Sequence, residues 1–180
     1  MLRRIVKGKE GLGGFRIHPD HAMDIGNIIA DIRARAGKPV WLIGTSRGSI
    51  SAVNAAARLS GMQVPDGLIL TSPVTSGSEG LHKAWVAQSV FSVDLEAIRI
   101  PVLVIAHTGD KCVRAPPDLA GLIVEKTSGA REKTVKLSGG PGWSGRVGVK
   151  ACRGKSPHGF ITQDSEIVSD MARFIAGGKF

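Results

Sequence analysis

Apolar residues occur along this chain either as short continuous runs or at the spacing of one face of a helix. The continuous runs cover residues 40–43, 67–71 and 101–106, and a run that mixes apolar and polar residues covers 133–137. Uninterrupted apolar runs of this length are typical of parallel strands that are buried on both faces. The sequence therefore predicts three buried strands and, at residues 133–137, a fourth strand.

Helical spacing recurs in the segments between these runs. A first helix is predicted to begin at His18-Pro19-Asp20 and to end at Gly37 and Pro39, because these residue types mark helix boundaries. Its apolar positions are Ala22, Ile25, Ile28, Ile29 and Ile32. Further helices are predicted at residues 50–59, 117–126 and 165–175. The apolar positions predicted to face inward in the final helix are Ile167, Val168, Met171, Phe174 and Ile175.

The alternation of strands and helices predicts an α/β fold with three layers, α/β/α, around a mostly parallel sheet with right-handed crossovers. A length of 180 residues favours a single domain over residues 1–180, in which residues 1–13 form an atypical N-terminal segment. No apolar run approaches the roughly 18 residues of a membrane span, and the basic start is not followed by the apolar stretch of a signal peptide. We therefore expect a soluble protein with no membrane span and no visible signal peptide.

The net charge of +9 raises the question of a nucleic-acid partner. The basic residues are scattered, however, Tyr is absent, and only five Phe and three Trp are available to stack on bases. A solvated basic surface explains the charge, and no nucleic-acid partner is expected.

A Gly-x-Ser-x-Gly pattern at residues 44–48 separates the first predicted strand from an alanine-rich helix. In a chain with 24 Gly the five letters alone are weak evidence, but a sharp turn from strand to helix is the setting of a nucleophilic serine. In such a turn the two glycines relieve crowding, and the serine is strained and exposed. The alternative is that Ser46 is an ordinary helix N-cap.

Polar residues follow the strands where a parallel sheet gathers functional groups, just beyond the carboxyl ends. Ser46 follows the first strand, Asp110 follows the third, and His158 lies in a His-Gly-Phe loop before the final helix. This chain order of serine, acid and histidine resembles the α/β-hydrolase superfamily, and in particular small bacterial serine esterase-like members. The resemblance covers about residues 14–175.

The resemblance implies ester hydrolysis by a Ser-His-Asp triad without a cofactor, on a small-molecule carboxylic ester. Ser46 would be the nucleophile, His158 its base and Asp110 the acid that orients the histidine. The backbone N–H of Arg47 would stabilise the oxyanion. Rival acids are Asp94 and Asp118. The rival histidine, His107, precedes the acid in the chain and is expected to be a pocket residue.

Residues 75–98 lie where this superfamily inserts a lid. Trp85 and Phe91 belong to a set of apolar residues at helical spacing in this segment. They either line an acyl pocket, together with His107, or belong to a helix that covers the sheet. The sequence leaves both alternatives open.

The two cysteines flank the predicted site, since Cys112 is close to Asp110 and Cys152 is close to His158. If the triad forms, a disulfide could join the two loops, and the parent protein would then belong to an oxidising compartment. Two free cysteines in a reduced cytoplasm are the alternative. No C-x-x-C or H-E-x-x-H spacing is present, so no metal is expected. The glycine-rich residues 139–145 lack the Gly-Lys-Ser/Thr ending of a phosphate loop and are expected to form a flexible loop before His158.

Only 45 residues precede Ser46, whereas the family has several strands before this turn and takes a second oxyanion N–H from one of their loops. We therefore expect a partial α/β-hydrolase fold that lacks the N-terminal strands, with no candidate for the second donor. The first strand would lie near a sheet edge, with residues 2–7 as a partial cover, and we expect self-association through that edge. The alternative function is that of an incompetent hydrolase fragment that acts as a binding or interaction module.

Overall fold

The computed structural model describes residues 12–77, 87–141 and 145–178. The predicted edge cover at residues 2–7 lies outside these residues, and so do residues 78–86 of the predicted lid, which include Trp85. The helices are α1 (Pro19–Ala36), α2 (Gly48–Arg58), α3 (Gly121–Val124) and α4 (Asp164–Ile175). The strands are β1 (Trp41–Thr45), β2 (Gly67–Thr71), β3 (Val102–His107) and β4 (Glu132–Leu137).

The four strands form one parallel sheet in the order β1-β2-β3-β4. Alternate residues of β2 and β3 face opposite sides, as the two-residue period of a strand requires. On one side Leu68 and Val104 pack with residues of α2 and α3. On the other side Ile69 and Leu103 pack with Phe174 of α4 and its neighbours. The predicted three-layer α/β/α architecture is confirmed.

Strand β1 differs from the two strands that follow it along the sheet. Every residue of β2 and β3 is buried, as predicted, but Ile43 in β1 is 50% exposed. The prediction of a buried first strand is wrong, because β1 pairs only with β2 among the described strands and therefore lies at the sheet edge. The expectation that this strand lies near an edge is confirmed.

Helix α1 has the predicted boundaries, but its predicted inward face is only partly buried, at Ala22 and Ile29. It begins after His18, whose Nδ1 accepts a hydrogen bond from the N–H of Asp20, and ends at Gly37 in the left-handed conformation. Ile28 and Ile32 are exposed, whereas the buried positions are Ala22, Gly26 and Ile29. The small residues face inward because α1 lies close to the end of α2: a methyl group at Gly26 would lie 2.7 Å from Leu59 Cδ2.

Two other helix predictions need correction. In α4, Ile167 and Phe174 are buried as predicted, but Val168 and Ile175 are exposed. The helix predicted at 117–126 is a 3-10 turn at Pro117–Leu119 followed by the single turn α3. Within residues 75–98, the described part holds short 3-10 turns at Val90–Ser92 and Leu95–Ala97, and the remainder of the possible covering helix lies outside the described residues.

Among the described residues, no helix combines the length and the apolar character that crossing a membrane requires.

Candidate active site

Ser46 occupies a tight turn between the end of β1 and the start of α2. Its φ of 49° lies in the left-handed region, which costs a residue with a side chain about 1–2 kcal/mol. The turn is held to the sheet because the N–H of Ser46 donates to the carbonyl of Thr71, the last residue of β2, at 2.9 Å. Arg47 occupies the N-cap position of α2, so Ser46 is not the N-cap of this helix.

The two glycines of the pattern differ in their surroundings. A Cβ at Gly44 would lie 2.7 Å from the Cβ of Ala52 and 2.8 Å from the Cα of Ser49, so α2 packs against β1 too closely for any side chain there. A Cβ at Gly48 would meet no atom within 4 Å. The expectation that both glycines relieve crowding therefore holds for Gly44 and is wrong for Gly48.

A chain of two hydrogen bonds joins Ser46, His158 and Asp110. The Nε2 of His158 lies 2.9 Å from the Oγ of Ser46, and its Nδ1 lies 2.8 Å from the Oδ2 of Asp110. His158 and Asp110 are buried, whereas Ser46 is half-buried. An ionised carboxylate only accepts hydrogen bonds, so the pairing with Asp110 places the ring proton on Nδ1 and leaves Nε2 to accept from the hydroxyl.

The rival acids and the rival histidine lie elsewhere. Asp94 is exposed before a 3-10 turn, and Asp118 is exposed and pairs with Lys136 at 3.6 Å. His107 is buried, with Nδ1 accepting from the N–H of Gly109 at 2.9 Å and its ring edge-on to Phe160. The acid and the histidine that meet at Ser46 are therefore Asp110, preferred for its position after the third strand, and His158, preferred for the chain order.

A disulfide joins Cys112 to Cys152 and thereby ties the loop of Asp110 to the loop of His158. The N–H of Cys112 also donates to the Oδ1 of Asp110 at 2.8 Å, so the bridge begins at a residue that contacts the acid directly. Ligand atoms of Asp110, Cys112 and His158 lie within 4.8 Å of one another. This set does not fit a metal ion, because the sulfur is in the disulfide and the other two groups bind each other.

Two serines that the sequence analysis did not single out support the site. Ser49 is buried; its Oγ donates to the carbonyl of Ser46 at 2.6 Å and accepts from the N–H of Val74 at 3.0 Å. Ser72 is also buried, and its Oγ donates to the carbonyl of His158 at 2.8 Å. Ser72 directly follows β2, so the rule that functional groups gather beyond strand ends covers it.

Arg47, the residue that follows Ser46, interacts electrostatically with two other arginines. Burial lowers the pKa of Arg47 below its usual value. Burial and the charge of Arg47 together lower the pKa of Arg16 and of Arg114, so these guanidinium groups lie close enough to influence one another. They stay charged at neutral pH, since guanidinium groups do not lose their proton in proteins.

The remaining predicted site residues have mixed outcomes. Phe91 is half-buried and packs against the hydrophobic core between α2 and the sheet. Trp85, its predicted partner in an acyl pocket, lies outside the described residues. Arg47 lies at the N-terminus of α2, where backbone N–H groups attract negative charge.

Comparison with solved structures identifies related folds. The chain is similar to BpoC of Mycobacterium tuberculosis H37Rv, a candidate non-heme bromoperoxidase, at 13% identity and a TM-score of 0.55, over 87% of this chain and 74% of that one. It is similar to a structure from the work on LipS and LipT, two metagenome-derived lipolytic enzymes, at 14% identity and a TM-score of 0.52, over 87% and 74%. VinJ aligns at 10% identity and a TM-score of 0.54, over 87% and 72%.

Other matched structures are longer than this chain. The chain spans 65% of the length of a monoacylglycerol lipase from Paleococcus ferrophilus and 46% of a cold-adapted esterase from an Arctic metagenome, both with a TM-score of 0.46. No protein-family model and no curated protein matches the sequence. At identities this low, the similarity is one of fold.

Proposed function

We propose that this protein, whose structure has part of the α/β-hydrolase fold, is a serine hydrolase that cleaves carboxylic esters. The observation that carries the proposal is the hydrogen-bonded chain from Ser46 Oγ through His158 to Asp110. A serine hydroxyl is a weak nucleophile until a neighbouring base takes its proton, and the Nε2 of His158 is at the distance that this transfer requires.

In the first half of the reaction, Ser46 Oγ attacks the ester carbonyl while its proton moves to His158 Nε2. Asp110 accepts a hydrogen bond from Nδ1 and stabilises the imidazolium as it forms. The carbonyl oxygen becomes an oxyanion, to which the backbone N–H of Arg47 donates. Collapse of this tetrahedral intermediate breaks the bond to the alcohol, which leaves with the proton from His158.

In the second half, water takes the place of the alcohol. His158 removes a proton from the water as its oxygen attacks the acyl carbon on Ser46, and it returns that proton to Ser46 Oγ when the acid leaves. No cofactor takes part in either half. A lipolytic enzyme among the similar structures favours a small-molecule ester as substrate, with His107 and Phe91 as candidate pocket residues.

Pre-steady-state hydrolysis of p-nitrophenyl acetate tests this proposal. An acyl-enzyme that forms faster than it hydrolyses releases a burst of p-nitrophenol, with an amplitude of up to one equivalent per chain, before the steady rate. We expect such a burst followed by slower turnover. Release no faster than that of a heat-denatured sample, from protein whose circular dichroism shows it is folded, would overturn the proposal.

The edge position of β1 among the described strands is the basis of a second, independent prediction, that the protein self-associates. Ile43 is exposed on this strand, and an apolar edge strand can pair with another chain. We expect size-exclusion chromatography with light scattering to detect oligomers whose share grows with concentration, and Ile43→Lys to reduce it. A clean monomer at high concentration would count against this prediction.

A further inference from the structure

The carboxyl end of β2 contacts the nucleophile and the histidine through two consecutive residues. The carbonyl of Thr71 accepts from the N–H of Ser46 at 2.9 Å, and the hydroxyl of Ser72 donates to the carbonyl of His158 at 2.8 Å. We propose that Ser72 is a positioning residue: its hydroxyl fixes the position of the His158 loop relative to the turn at Ser46. This inference rests on the proposed hydrolase function.

The contact spans a long separation in sequence. Ser72 and His158 are 86 residues apart, and the hydroxyl that links them is buried. The N–H of Ser72 donates to the carbonyl of Ile105 in β3 at 2.9 Å, so the sheet itself fixes the residue. Ser72 thus links the sheet to the loop that carries His158, so that the sheet fixes the position of this loop.

The backbone of Ser72 indicates that its placement comes at a conformational cost. Its φ is 42°, in the left-handed region that residues with a side chain rarely adopt. Among the described non-glycine residues, this feature is shared only by Ser46, Phe160 and Thr162. The last two follow His158 closely in the chain. Strained backbone of this kind gathers at functional sites, where the surrounding structure holds it in place.

The Ser72 hydroxyl also satisfies a buried acceptor. His158 is buried, and a backbone carbonyl in such a place needs a hydrogen-bond donor. Without the hydroxyl, the carbonyl of His158 would lack a donor, and a shift of the loop toward another donor or toward water would lower its free energy. A shift of about 1 Å at a catalytic group is enough to slow a reaction by up to a hundredfold.

Two variants distinguish the effect of the Ser72 hydroxyl from the effect of its backbone strain. Ser72→Ala removes the hydroxyl and keeps a side chain in the left-handed conformation, whereas Ser72→Gly removes the hydroxyl and relieves that strain. We expect both to lower kcat for p-nitrophenyl acetate by roughly 10- to 100-fold, with KM changed less than twofold. We also expect both to shift the downfield proton resonance of His158 Nδ1–H, identified by its loss in His158→Ala.

Thr127→Ala is the matched control, because it deletes another buried hydroxyl, one that donates to Glu132 near the amino end of β4, away from the site. It should lower thermal stability without changing kcat or the His158 resonance. A normal kcat in Ser72→Gly with a low kcat in Ser72→Ala would assign the effect to strain and overturn the inference. An unshifted resonance in both Ser72 variants would overturn it as well, whether or not the wild-type protein is active. An inactive wild-type protein would instead overturn the proposed function.

Discussion

Replacing Asp110 by Asn is expected to lower kcat on the order of 10⁴-fold while the protein stays folded. The amide of Asn can donate to His158 Nδ1, which would move the ring proton to Nε2 and leave no acceptor for the Ser46 hydroxyl. His158→Ala removes the base itself, and we expect a loss of kcat on the order of 10⁶-fold. Steady-state hydrolysis of p-nitrophenyl acetate measures both effects.

Asp118→Asn is the control for this series. Asp118 is an exposed acid in the loop between β3 and β4, paired with Lys136 on the surface, so its loss should leave kcat unchanged. Equal activity of Asp110→Asn and the wild type would mean that Asp110 does not orient the histidine, and the mechanism would then need a different acid.

Removing the disulfide in the double variant Cys112→Ser/Cys152→Ser is expected to lower the free energy of unfolding by about 4 kcal/mol. The bridge spans 40 positions of sequence, and an unfolded chain without it gains the corresponding loop entropy. For a protein of this length the change corresponds to a fall in Tm of about 8–16 °C. Urea titration and thermal unfolding measure the two quantities.

Activity is expected to fall in this variant as well, because Cys112 N–H holds the Oδ1 of Asp110 and the bridge holds the two loops together. A reducing agent should lower the Tm of the wild type toward that of the double variant, whose own Tm should not respond to the agent. An unchanged urea midpoint in the double variant would contradict a stabilising role for the bridge.

The sheet and the positions of the candidate site residues could be predicted because both follow from the strands, whose apolar runs are visible in the sequence. The runs that became β2 and β3 are uniformly apolar, which is what burial on both faces requires. Ser46, Asp110 and His158 could be located by chain order and by their positions after strands, without knowledge of any distance between them.

The helix faces could not be predicted from spacing alone. Ile28 and Ile32 have helical spacing, but the close approach of α1 to the end of α2 turns the small residue Gly26 inward and the two isoleucines outward. Spacing identifies which residues share a face of a helix. It does not identify which face a neighbouring helix covers, since that depends on how closely the two backbones approach.

The supporting serines were missed for a different reason. Ser49 donates to a backbone carbonyl in a tight turn, and no residue pattern marks such a contact. Ser72 follows β2, where functional groups gather, but the sequence does not show that its hydroxyl reaches a carbonyl 86 residues away. The disulfide was weighed against free cysteines because sequence alone does not give the distance between two loops.

Labelling with a fluorophosphonate probe, followed by mass spectrometry of the modified peptide, tests the central claim most directly. The probe reacts covalently with an activated serine, so we predict one label per chain, on Ser46, and no labelling of Ser46→Ala. Ser165→Ala, which changes an exposed serine at the start of α4, should label like the wild type. Absence of label on well-folded wild-type protein, or a label on another residue that persists in Ser46→Ala, would contradict the claim that Ser46 is an activated nucleophile.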